Sequence, residues 1–153
     1  MPEKLRQILA ELEREKHRRR FDIYRTEAGE FFVVFWSNVE ITDDVKIYPC
    51  DTVVYVKTAD RNQPLFLEWA TFATFICHGA LENSRAFSNQ IDVLNYHYLG
   101  KFVRDYTDGS QDILYVTSER LSSLTLEALK AHLEHHAKAK ATVIPHLERL
   151  RNC

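Results

Sequence analysis

The segment LFLEWATFATFICHGAL, residues 65–81, decides how this chain is read. It is apolar nearly all round, and Pro64 just before it suits the first turn of a helix. The expectation is a helix over 64–83, extending toward 89, that is greasy on every side and therefore buried on every side. Glu68, His78 and the threonines argue against a membrane span, for which about 17 residues is the lower limit. Its surplus apolar surface, or else an exposed sheet face, is expected to bury against a second copy, with Phe66, Trp69, Phe72, Phe75 and Ile76 as the expected interface.

Upstream, residues 2–19 read as a helix, because Leu5, Ile8, Leu9 and Leu12 fall on one stripe. Residues 21–27 alternate in polarity, Ala28-Gly29 looks like a hairpin turn, and 30–37 (EFFVVFWS) is the β-branched and aromatic run of a central strand. A weaker strand or loop spans 39–47, broken at Asp43-Asp44. Pro49 and Asp51 mark another break, and 52–58 (TVVYVKT) is a strand. Downstream of the long apolar segment, 93–106 carries a strand with Gly100 at a bulge. Asp108-Gly109 supplies a hairpin turn, and 111–119 returns. Thr125 caps a last helix with Glu127 in its first turn, and Pro145 should kink or end it.

The resulting order is α-β-β-(β)-β-α-β-β-α: an α+β fold in which a twisted antiparallel sheet packs on a long central helix, with helices at both ends. The chain of 153 residues has room for one domain, taken as 1–153, and can bury enough surface to fold without metal or disulfide. Cys50, Cys77 and Cys153 are odd in number, widely spaced and without a CxxC, which implies free thiols in a reducing, cytoplasmic setting. The charged N-terminus lacks the apolar core of a secretion signal. A net charge of −2 gives no overall field to draw the chain onto nucleic acid or an anionic membrane.

Four groups of residues have the types that chemistry uses. His132 and His136 stand one helical turn apart, with His135 and His146 nearby, and could share a metal. But HLEHH is not a zinc-protease motif, and a helix face of Lys, Glu and His is usually solvated. Cys77 and His78 are adjacent, so on a helix they point about 100° apart and cannot pair as nucleophile and base. Asp43-Asp44, Asp105, Asp108 and Asp112 show no sign of the opposed environments that an acid–base pair needs. The basic run Lys16 to Arg20, with Lys16, Arg18, Arg19 and Arg20 as contacts, could touch phosphate or an acidic partner. No glycine-rich phosphate loop or nucleophile elbow occurs. No catalytic residue, metal ligand or cofactor is expected.

The C-terminal part, LGKFVRDYTDGSQDILYVTSERLSSLTLEALKAHLEHH, resembles the YbjN family of bacterial proteins. The likeness is carried by Leu99-Gly100-Lys101-Phe102, Asp108-Gly109, Ile113 to Val116, and Leu124-Thr125-Leu126-Glu127. The element order is similar to that shared with type III secretion chaperones of the Tir-chaperone kind. The resemblance implies a homodimeric, non-enzymatic protein with a chaperone-like or regulatory role, and supplies no catalytic residues. The expected function is docking of a client or partner protein, with no membrane partner. A nucleic-acid accessory using residues 16–20, and a small-ligand or metal-dependent enzyme gathering His97, Asp105, Tyr106 or the His132/His136 pair, stand as alternatives.

Overall fold

The computed structural model describes residues 1–15, 19–41, 46–58, 68–77, 85–97, 99–105 and 112–151. Among these the chain forms α1 (Glu3–Glu13), β1 (Phe21–Arg25), β2 (Phe31–Phe35), β3 (Asn38–Ile41), β4 (Lys46–Pro49), β5 (Thr52–Thr58), β6 (Glu68–Cys77), α2 (Arg85–His97), β7 (Lys101–Asp105), β8 (Asp112–Arg120) and, after a short 3-10 turn, α3 (Leu126–Arg151). Six strands make one antiparallel sheet in the order β1-β2-β5-β6-β8-β7, and β3 and β4 pair as a separate hairpin. The α+β class and the antiparallel sheet stand as expected from the sequence.

All three helices cover one face of the large sheet. The stripe Leu5, Ile8, Leu9 and Leu12 of α1 packs with Val33, Phe35, Val54 and Phe72 of the sheet and Leu129 and Leu133 of α3. Ile91 and Leu94 of α2 join Phe102, Ile113, Tyr115, Val143 and Leu147 in a second cluster at the other end. α3 therefore spans both halves of the core, and each large side chain withdrawn from water there contributes roughly 1.5–3 kcal/mol. Thr125 caps α3 as its sequence suggested, accepting the Ala128 N–H at 3.1 Å. Gly29 takes φ 84° in the β1–β2 turn, a conformation that glycine adopts without steric cost.

The central apolar segment is the main correction. Glu68–Cys77 is not a helix but a ten-residue strand flanked by β5 and β8. A strand with neighbours on both edges and a packed face reads as a nearly continuous apolar run, which periodicity alone cannot distinguish from a buried helix. Its threonines, β-branched and aromatic residues fit a pleated surface better than a helix. Alternation is present once the strand is recognised: Ala70, Phe72, Thr74 and Ile76 are buried beneath the helices, whereas Trp69 and Phe75 are each 37% exposed on the opposite face.

The long helix that packs on the sheet is thus α3, at the end of the chain. It runs through Pro145 instead of stopping there. Buried Val143, Ile144 and Leu147 hold the helix across the site of the lost backbone hydrogen bond. The strand expected over 93–106 is also shorter: Arg85–His97 is helical, and only Lys101–Asp105 extends. Ile91 and Leu94, spaced i, i+3, give α2 its buried stripe.

Gly100 precedes β7 because nothing larger fits there. A Cβ would lie 2.6 Å from Tyr115 Cζ and 2.7 Å from the Val116 carbonyl oxygen. The chain entering β7 can therefore approach the tyrosine ring closely, and the Gly100 N–H donates to Tyr115 Oη at 3.0 Å.

Candidate functional site: a groove at the free edge of β8

β7 pairs with β8 only from Lys101↔Val116 to Asp105↔Asp112. Beyond Val116, β8 continues to Arg120 with β6 on one side and no strand partner on the other among the described residues. The outer edge of β7 is treated differently. Asn95 of α2 accepts the Phe102 N–H through Oδ1 at 2.5 Å and donates Nδ2 to the Phe102 carbonyl at 3.0 Å, as a neighbouring strand would. Since Phe102 directs its backbone groups outward, Lys101, Val103 and Asp105 bond to Val116, Leu114 and Asp112. By the same alternation, the N–H and C=O of Ser118 and Arg120 point into the space that β7 leaves vacant.

That space is a groove of about 740 Å3. Ala128, Ala131, His132 and His135 of α3 form one wall, and Thr117 to Glu119 of β8 the other. Leu99, 95% exposed, stands at the mouth. The two alanines leave room for an incoming side chain. Of the histidines of α3, His132 and His135 line this wall.

Those histidines do not form a solvated helix face, as expected; they point at the sheet, and His136 is 0% exposed. The His136 imidazole lies 2.8 Å from Thr74 Oγ1 through Nδ1 and 2.7 Å from Thr117 Oγ1 through Nε2. His132 Nδ1 is 3.0 Å from the same Thr117 oxygen, and His132 Nε2 is 2.9 Å from Glu119 Oε2. Thr74 continues to Thr52 at 2.7 Å. The His132 ring stacks on Phe72, centroids 4.3 Å apart.

Counting protons fixes the direction of this chain. Burial, helped by the neighbouring His132 and His135, pushes the His136 pKa down to about 3, so its ring is neutral and carries one N–H. The Glu119 carboxylate only accepts, so a neutral His132 must donate from Nε2 and accept at Nδ1 from the Thr117 hydroxyl. Thr117, its one proton used, accepts from His136 Nε2–H. His136 Nδ1 then accepts from Thr74, and Thr74 accepts from Thr52. Six groups are satisfied in one sense, from the buried Thr52 to the groove-lining Glu119.

His135 is fixed independently. The Tyr115 hydroxyl accepts from Gly100 and lies 2.6 Å from His135 Nε2. Burial first, then the charges of His132 and Lys138, lowers the His135 pKa.

Glu119, His132 and Thr117 have the order of a carboxylate–imidazole–hydroxyl triad. The Thr117 oxygen, however, is already engaged by two imidazoles, with its proton on one and a lone pair on the other. The geometry describes a satisfied polar network that fastens α3 to β8 and β6.

The remaining sequence candidates scatter. Phe72 and Ile76, expected at an interface with a second copy, lie in the chain's own core because they fall on the helix-covered side of β6. Trp69 and Phe75 are on the uncovered side, and Phe66 lies outside the described residues. Of the basic run, Lys16 and Arg18 lie outside them too, while Arg19 is half-buried and Arg20 exposed. Asp105 faces Asp112 across β7 and β8. His78, Asp43, Asp44, Tyr106 and Asp108 are outside the description, and His97 ends α2. His146 is exposed, away from the other three histidines of α3. Among the described residues no three His, Cys, Asp or Glu side chains are grouped to hold a metal ion.

Sequence reasoning missed Lys140, which is 3% exposed. Its ammonium donates to the Phe75 carbonyl at 2.8 Å and to the Pro49 carbonyl. Burial lowers its pKa against the opposing pull of Cys50, Asp51 and Cys77, and burial raises that of the Cys50 thiol. The register of β6 against β8 shifts between Phe75 and Cys77, so this lysine sits at an irregularity of the strand and ties it to the end of β4. The only signal in the sequence was a lysine among alanines on an otherwise inward face. No helix among the described residues is long and apolar enough to cross a membrane. No model of a known protein family matches the chain, and no curated protein matches it.

Proposed function

We propose that the chain is a non-enzymatic protein-binding module, chaperone-like or regulatory, which works as a homodimer and takes an extended segment of a partner protein against the free edge of β8. One observation carries this reading: the backbone groups of Ser118 and Arg120 are directed into an open groove, while the adjoining edge at Phe102 is closed by Asn95. Exposed strand edges are a hazard that folds cover. Among the described residues the fold covers one part and leaves the next part open beside a wall of alanines and histidines. An added strand would make main-chain bonds to Ser118 and Arg120, with alternate side chains directed at Ala128 and Ala131. The resemblance of the C-terminal segment to the YbjN family supports the same kind of role.

The test is selection of displayed random ten-residue peptides on the immobilised full chain, repeated on Ser118→Pro. Proline removes the N–H that the added strand would need. Peptides enriched on the native chain and lost on the variant, with unchanged circular dichroism, are the expected result. No enrichment over an unrelated protein, or equal binding to the variant, overturns the reading.

A further inference from the structure

We propose that the face of the six-stranded sheet turned away from the described helices is where two copies pair, about a two-fold axis running parallel to the strands. This rests on the reading of the chain as a homodimer and names the surface and its geometry.

The three described helices lie on the face opposite Tyr24, Trp69 and Val103, which are 41%, 37% and 38% exposed. Six strands about 4.8 Å apart and about five residues long span roughly 500 Å2, or roughly 1,000 Å2 for a pair of copies, the threshold for a specific interface. β6 and β8, at ten and nine residues, extend that area through the middle.

The register makes the face complementary to itself. One rung crosses all six strands: Asp22↔Val34↔Val53↔Ala73↔Val116↔Lys101. It has an exposed acid at one end, an exposed base at the other and small apolar residues between. A two-fold axis along the strands, through the line between β5 and β6, lays β1 on β7 of the second copy, β2 on β8 and β5 on β6. Asp22 then meets Lys101 of the second copy, twice by symmetry. The next rung on this face, Tyr24↔Phe32↔Tyr55↔Thr71↔Ser118, is aromatic in its first half and small in its second. The same operation sets Tyr55 over Thr71 and Phe32 over Ser118, large side chains against small ones. An axis across the strands would instead lay Asp22 on Asp22 and Lys101 on Lys101. Either axis keeps the strand directions within the about 30° found when sheets pack face to face, so the charges decide between them.

Sedimentation equilibrium of the full chain tests this with Asp22→Lys, Lys101→Asp and the double exchange. The native chain is expected to dimerise. Each single change creates two like-charge contacts and should raise the dissociation constant about tenfold, and the double exchange should return it to near the native value. A native chain that stays monomeric overturns both the pairing and the homodimer reading. A native dimer that the single changes leave untouched, or that the double exchange fails to restore, overturns this face and leaves a homodimer through another surface.

Discussion

Lowering the pH from 7 to 5 will cost the fold about 2 kcal/mol through one side chain, His136. The ring is buried between Thr74 and Thr117, and its pKa falls from 6.5 to about 3 on folding. Below pH 6.5 the unfolded chain takes up a proton that the folded chain refuses, so acid favours unfolding. The contribution is complete above the unfolded value, is lost as the pH drops, and stops changing below about 3. Between these limits the loss is about 1.4 kcal/mol per pH unit, which gives about 2 kcal/mol at pH 5 and more than 3 at pH 4. His135 adds to the loss in the same direction, because burial lowers its pKa too. Urea titrations at pH 7 and pH 5 on the native chain and on His136→Gln measure it. The glutamine variant is less stable at pH 7 by roughly 1–3 kcal/mol, because two buried hydroxyls lose an imidazole. It should nevertheless show a smaller difference between the two pH values, by about 2 kcal/mol. Equal pH differences in the two proteins, or an imidazole of His136 that titrates near 6.5 by NMR, would refute the reasoning.

Other outcomes follow from particular contacts. In the native chain at high pH, nitrogen chemical shifts should report the Nε2–H tautomer for His136. Thr117→Val removes the hydroxyl that joins His132 to His136 and should abolish the preference of His136 for Nε2–H. Lys140→Met leaves the Phe75 and Pro49 carbonyls without their donor. It should destabilise the chain by about 2 kcal/mol and speed amide exchange in the β3–β4 hairpin and at the register shift of β6. Gly100→Ala, whose new methyl would strike the Tyr115 ring and the Val116 carbonyl, should cost about 1–3 kcal/mol in thermal or urea unfolding. No loss there would mean that β7 can move away from Tyr115 freely.

What the sequence disclosed and what it hid have a common physical root. The stripe Leu5, Ile8, Leu9 and Leu12 and the strand 52–58 were legible because each element meets the core on one side or carries strong strand formers. Glu68–Cys77 was misread because apolar residues line both of its faces. Phe72 packs under α3, and Trp69 lies on the uncovered side. Two different demands, a core and an open sheet face, thus erased the alternation by which a strand is recognised. The histidines of α3 were hidden for a related reason. HLEHH looks like a solvated face, because imidazole counts as polar in any periodicity. Its partners Thr52, Thr74, Thr117 and Glu119 come from β5, β6 and β8, far away in the chain. Only the folded sheet aligns them.

The open part of the β8 edge depends on the same alignment. β7 stops at Lys101 because the chain enters it through Gly100, which is pressed against Tyr115. Tyr115 is in turn held by His135 on α3. The contacts that order the histidine wall therefore also set the point at which β8 loses its partner. A glycine with no space for a Cβ, a tyrosine hydroxyl shared by a backbone N–H and an imidazole, and a strand edge left open two residues later are parts of one arrangement. Changing Tyr115 to Phe should disturb peptide capture at Ser118 without touching any atom of the proposed contact.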